Sequence, residues 1–229
     1  MTENISLDNL GRVPTPEFYD ALNNSKNSGD NNLYLQISEK TIQNFPKYYL
    51  GYFCKAEALL NLGGEQNLQL AKESALKAFS LDSTNINNLQ VLSRIFFELQ
   101  DFQNALLTIG TALQQNPYSP LMLKNYAITA LRLNKLQKAF ENIKQAIIFE
   151  PDDLQSWEIL ESMLPNANER EQVKFQLRQQ IQQQSHQIHL QKLLQQAADF
   201  KANYQIMEAI SVLQQAEKYA EQQLFHEKS

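Results

Sequence analysis

The chain repeats itself at an interval of 34 residues, and no other feature restricts its fold so strongly. The segment that opens at Ala105 carries Ala105, Ile109, Ala112 and Pro117; thirty-four residues on stand Ala139, Ile143, Ala146 and Pro151. Thirty-four residues earlier the same offsets hold Ala71, Ala75, Ala78 and Ser83, with the proline lost. A further step back, this time of 37, reaches Tyr34, Ser38, Thr41 and Pro46. The other half of the period recurs too. Phe18, Tyr52, Leu89, Leu123 and Trp157 follow one another at 34, 37, 34 and 34 residues. After each of the first four come partners at helical spacing: Leu22, Ala56, Ser93 and Ala127, then Ser25, Leu59, Phe96 and Ala130. A fixed period of this length is the signature of a stacked repeat rather than of a single-core fold.

Physical reasons attach to the residue types. Two antiparallel helices approach closely only where their side chains are small, so Ala56 or Ala127 is expected to face Ala71, Ala105 or Ala139. Pro117 and Pro151 end the second helix, because proline has no N–H to donate and disfavours helical geometry in the residue before it. Asp101 and Asn134 suit the turns between helices. The single 37-residue step coincides with Gly63-Gly64-Glu65-Gln66-Asn67, which predicts an inter-helix turn three residues longer than its neighbours.

These residues resemble the tetratricopeptide repeat, a 34-residue helix–turn–helix unit marked by a large residue, then Leu-Gly, then tyrosine, then alanine, phenylalanine, alanine and proline. Repeats are read at 15–48, 49–85, 86–119, 120–153, 154–187 and 190–223. The first has Tyr34 and Thr41 in place of alanines. The fifth keeps Trp157 and Leu160 but has Glu161, Val173 and Gln180 at the small positions. The sixth fits after a two-residue drift, with Leu193, Ala197, Phe200, Ala209, Leu213 and Ala216. The resemblance implies an all-α fold, a right-handed superhelical solenoid of about six such repeats. Residues 1–14 are expected to be an N-terminal arm, 15–189 the first five repeats, and 190–229 a divergent sixth repeat with a C-terminal capping helix.

Glutamine pairs crowd the chain beyond about residue 168, but glutamine is a good helix former and apolar residues keep helical spacing at Leu177, Ile181, Leu190, Leu193 and Leu194. Helices are therefore expected there. On the last one, Ala209, Leu213 and Ala216 should dock, while Gln214, Gln215, Glu217, Lys218 and Glu221 face water.

Composition limits the function. A net charge of −5 disfavours nonspecific nucleic-acid binding, which needs a basic face. The single cysteine, Cys54, excludes an internal disulfide and a cysteine-based zinc site. No apolar run approaches the ~20 residues of a membrane span. The N-terminus has neither a basic nor an apolar leader segment, so a cytoplasmic location is expected. Gly63-Gly64 does not continue into a phosphate-cradling motif, and no Gly-x-Ser-x-Gly elbow occurs. His186 and His189, three residues apart, read as surface histidines without a third ligand. Cys54 has no catalytic partner in sequence, and Asp152-Asp153 suits the start of a helix. The expectation is a non-enzyme with no cofactor and no metal.

The tetratricopeptide resemblance further implies a concave groove lined by the first helix of each repeat. Its positions fall on Tyr19 and Asn23 in the first repeat and on Leu50, Phe53, Cys54, Glu57, Leu60 and Asn61 in the second. In the third repeat they fall on Asn87, Gln90, Val91, Arg94, Phe97 and Glu98, and in the fourth on Leu121, Lys124, Asn125, Ile128, Leu131 and Arg132. Apolar residues next to cations suit a protein or peptide partner with apolar anchors and acidic groups. The two-carboxylate clamp of chaperone-binding members is not met: the first register supplies Tyr19, Asn23, Cys54, Asn87 and Val91, and the next two registers fail likewise. The expected function is a protein–protein interaction scaffold or adaptor. The alternative is a substrate-recognition or targeting module of a glycosyltransferase- or sulfotransferase-type enzyme system. The partner's identity and the oligomeric state are not legible.

Overall fold

Four turns of the chain share one strained residue. Gly29, Gly63, Gln100 and Asn134 all adopt positive φ, between 55° and 74°, and they stand 34, 37 and 34 residues apart. A left-handed residue just past a helix lets the last carbonyls find donors while the chain reverses. At Gln100 the next amide, of Asp101, donates to the Phe96 carbonyl; at Asn134 the next amide, of Lys135, donates to the Ala130 carbonyl. Each is the six-to-one bond of a glycine-type helix stop, made here twice without glycine. The repeat is therefore written into backbone geometry as well as into side chains.

A computed structural model describes residues 14–202 and 205–226 of the chain. Among them are twelve α-helices and no strand: α1 (Pro16–Asn27), α2 (Asn31–Asn44), α3 (Tyr49–Leu62), α4 (Glu65–Leu81), α5 (Ile86–Glu98), α6 (Phe102–Gln115), α7 (Pro120–Arg132), α8 (Leu136–Phe149), α9 (Leu154–Ser162), α10 (Ala167–Gln183), α11 (Ser185–Ala202) and α12 (Ile206–His226). The segment expected to form an N-terminal arm lies almost entirely outside the described residues. Contacts divide the chain into two units, residues 1–108 and 109–229, with the division inside α6.

In the first unit α1 pairs with α2 and α3 with α4, while α2 lies on α3 and α4 on α5. The alanines of the repeat sit at the crossings: Ala56, Ala71, Ala75 and Ala78 are fully buried, and Ala105 is nearly so. Ala56, Leu59, Leu60, Ala71, Ala75, Leu92, Ile95, Phe96 and Ala105 form one core cluster. A second gathers Leu22, Tyr34, Tyr49, Leu50, Cys54, Ala58 and Ala78. Gly51 marks the tightest approach, since a Cβ there would come within 2.8 Å of the Ile42 side chain and 3.0 Å of its backbone nitrogen.

The 37-residue step has a different cause from the one its glycines suggest. Gly63 and Gly64 alone separate α3 from α4, a turn shorter than the three residues between α5 and α6. The additional residues continue as helix: α4 runs 17 residues where α6 and α8 run 14. Glu65, Gln66 and Asn67 are thus the first turn of α4, which positive φ at both glycines allows to start early.

Large residues at the recurring position tie two of the repeats, the second and the fifth, to the preceding turn. The Tyr52 hydroxyl donates to the Pro46 carbonyl at 3.2 Å, and Trp157 Nε1 donates to the Pro151 carbonyl at 2.8 Å. Pro46, Pro117 and Pro151 each stand two residues beyond the end of a second helix.

In the second unit α7 pairs with α8, while α9, α10 and α11 all reach α8, and α11 pairs with α12. The fifth repeat is reduced. Its first helix, α9, has nine residues, against 12 to 14 in α1, α3, α5 and α7. A single residue, Gln184, separates α10 from α11, which begins at Ser185 rather than near residue 190. On α12, Ala209, Val212 and Ala216 are buried, but Leu213 is 49% exposed. The docking face is therefore turned from the expected one. Ile206, Met207, Ile210 and Leu213 make an outward apolar stripe where a polar surface was expected.

Candidate functional site

The first helices of the repeats present the expected groove residues, and the two units treat them differently. In the first unit most are partly used up by packing. Leu60 is 6% exposed and belongs to the core cluster, so it is not available to a partner. Val91 and Phe97 are half-buried against that cluster, and Phe97 meets Phe102 edge-on at 5.3 Å. Phe53 packs half-buried on the other cluster, beside Tyr19 and Tyr48, whose hydroxyls lie 3.1 Å apart. Arg94 is exposed, as are Asn23, Asn61 and Glu98.

Glu57 occupies the middle of α3's face and is spoken for. Its carboxylate accepts from the Tyr34 hydroxyl and from Lys26 Nζ, each at 2.8 Å. This ties α1 and α2 to α3 through one side chain. Burial, with the neighbouring Cys54 and Glu57, pushes the Tyr34 phenol far above its ordinary value, so it stays a neutral donor to Glu57. Burial likewise pushes the Cys54 thiol up to about 12, against the lowering effect of its bond with Tyr34. A thiol held so high is not a nucleophile at neutral pH, and Cys54 is a core residue.

In the second unit α7 carries Leu121, Lys124, Asn125, Ile128, Leu131 and Arg132. Leu121 is 53% exposed; Asn125, Ile128 and Leu131 are half-buried, and Arg132 is exposed. Lys124 is not an open cation. Its ammonium donates to Asp153 at 2.8 Å, and the Ser156 hydroxyl donates to the same carboxylate oxygen at 2.6 Å. Burial works to raise the Asp153 carboxyl, but these two hydrogen bonds outweigh it and hold the group below its usual range. Asp153 is the N-cap residue of α9, so one carboxylate fastens α7 to α9 at the helix start. The neighbouring Leu154 is 75% exposed. Sequence reasoning missed Leu154 because its place in the repeat is not a groove position.

The histidines lie on α11: His186 Nδ1 is 2.7 Å from the Tyr219 hydroxyl, and the His189 ring stands 4.4 Å from the Tyr219 ring. Both are exposed. Among the described residues no group of three His, Cys, Asp or Glu side chains is placed to hold a metal ion. No helix among them is long and apolar enough to cross a membrane.

No protein-family model and no curated protein matches the sequence. Solved structures do match in shape. PilF of Pseudomonas aeruginosa is similar over 93% of this chain and 96% of its own, with a TM-score of 0.60 at 18% identity. A thermophilic TPR protein of Thermus thermophilus matches 69% of this chain and 84% of its own, with a TM-score of 0.56 at 19% identity. MamA from Desulfovibrio magneticus RS-1 matches 75% of this chain and 94% of its own, with a TM-score of 0.61 at 12% identity. With the helix pairs, the buried alanines and the recurring turns, these likenesses show that the chain has the fold of the tetratricopeptide-repeat proteins.

Proposed function

We propose that the protein is a non-catalytic interaction scaffold that recruits a partner polypeptide along the first helices of its repeats. The observation that carries this reading is on α7. Leu121, Ile128 and Leu131 recur at helical spacing and keep part of their apolar surface open, Leu121 more than half of it. Open apolar surface at regular spacing is what a bound segment covers. Arg94 adds an exposed guanidinium group that suits acidic residues of the partner. Lys124, engaged by Asp153, contributes nothing to that complementarity. A role as recognition module of a glycosyltransferase- or sulfotransferase-type system would use the same face and differs in what is recruited. The expected compartment is the cytoplasm.

Arg94→Glu and Leu121→Glu, singly and together, test the reading. Both side chains are exposed, so the variants should keep the wild-type helical circular dichroism. Affinity capture from the source cells should lose the same bands with either variant. An unchanged capture profile from the double variant would overturn the proposal.

A further inference from the structure

A cavity of about 270 Å³ lies within the second unit, beside the start of α7 at Pro120. The turn before α7 supplies Tyr118, the end of α8 supplies Phe149 and Glu150, and α11 supplies Lys192, Gln195 and Asp199. The shortened α9 accompanies this arrangement, since α11 reaches α8 here. Small-molecule and cofactor sites usually enclose roughly 300–1,000 Å³; this cavity lies at the small end of that range and has room for one side chain.

Its walls have a definite chemistry. Tyr118 and Phe149 stand edge to face, with ring centroids 5.5 Å apart, and Tyr118 remains 45% exposed. Gln195 Nε2 donates to Asp199 at 2.7 Å. That bond uses one of the amide's two N–H donors and leaves the Gln195 oxygen and the other Asp199 oxygen as acceptors. Among the described residues no cation forms an ion pair with Asp199 or Glu150. Lys192 lies two helical turns from Asp199, about 10.5 Å along the axis, and does not pair with it. Burial raises the Asp199 carboxyl, the Gln195 bond opposing it, as befits a carboxylate that lacks a cation.

We propose that this cavity receives an arginine side chain of a partner polypeptide, its guanidinium held by Asp199, Glu150 and the Gln195 oxygen and stacked on Tyr118. Guanidinium fits better than ammonium, because it is planar, stacks on an aromatic face and presents a fork of donors to adjacent oxygens. The inference rests on the polypeptide-binding reading only for the source of the guanidinium.

The test uses the full chain and Nα-acetyl-arginine methylamide as the probe, followed by ¹H–¹⁵N NMR. Amide shifts should change around residues 118–120, 149–150 and 191–199. The neutral isostere Nα-acetyl-citrulline methylamide should leave them unmoved. Glu150→Gln with Asp199→Asn should weaken binding about fivefold, in the range of exposed ion pairs, and Lys192→Gln should strengthen it. Tyr118→Ala provides a second disabling variant should the double one fail to fold. Arg94→Glu, in the first unit, should bind the probe as the wild type does, so this inference and the scaffold reading fail separately. Equal response to citrulline, shifts scattered over other surfaces, no response at all, or binding unaffected by both disabling variants would each overturn the proposal.

Discussion

The hairpins α3–α4 and α11–α12 follow one plan and end with opposite surfaces. Both close on small side chains. Ala56, Ala71, Ala75 and Ala78 are fully buried in the first; Ala197, Ala209 and Ala216 are 3–6% exposed in the second. The first hairpin then meets α2 on one side and α5 on the other, and Leu59, Leu60 and Ile95 join a shared core. On α12 the corresponding opportunity is left open, with Ile206, Met207, Ile210 and Leu213 between 44% and 75% exposed. An alanine stripe is enough to pair two helices, but it does not decide what covers the remaining faces. In a solenoid that is settled by neighbours, because each repeat buries its outer faces only against the next.

The largest test of this contrast places a charge at each crossing. Ala75→Asp in α4 is expected to cost about 4 kcal/mol or more, since an unpaired carboxylate would be forced into a fully occupied core. Ala197→Asp in α11 should cost clearly less, because a hairpin with one packed side can open locally without unfolding the rest. Urea unfolding followed by circular dichroism measures both. Equal losses would mean that α11–α12 is locked into the fold as firmly as α3–α4.

A milder test concerns the exposed stripe. Ile210→Glu should change stability by no more than about 0.5 kcal/mol, as substitutions at uncovered positions do. The same change at Ile95, which is fully buried, should prevent folding. Thermal melts of the two variants decide this, and a strongly destabilised Ile210→Glu chain would show that the α12 stripe is covered in solution.

The smallest effect belongs to the α7–α9 fastening. The folded Asp153 carboxyl titrates below its unfolded value, ordinarily about 3.9 for aspartate. Its contribution is therefore complete above that value and disappears as pH falls through the lower, folded value. Asp153→Asn should lower stability at neutral pH and flatten the loss that sets in as pH falls below about 4. Parallel pH profiles for variant and wild type would show that the Lys124–Asp153 pair contributes nothing measurable.

Much of the architecture was legible from spacing. The recurrence of Ala71, Ala105 and Ala139 predicted the crossings, and Pro117 and Pro151 predicted the ends of α6 and α8. The candidate face was less legible. Leu60 and Phe97 occupy equivalent positions in the repeat, yet Leu60 is a buried member of the core cluster and Phe97 only packs half-buried against it. Lys124 reads as an open cation until Asp153, 29 residues on, is brought within 2.8 Å of it.

What the sequence by itself determined is the repeat: helix pairs, their stops and their small-residue crossings. Those depend on contacts within one period, where φ preferences and side-chain size act locally. Only the tertiary structure decided that three inserted residues lengthen α4 instead of its turn, that Glu57 joins three helices, and that α12 faces its apolar stripe outward. It also decided that a short α9 accompanies an aromatic and acidic cavity against α11. Each of these depends on which surfaces meet across separate periods, and a repeating pattern is the same whether a neighbour arrives or not.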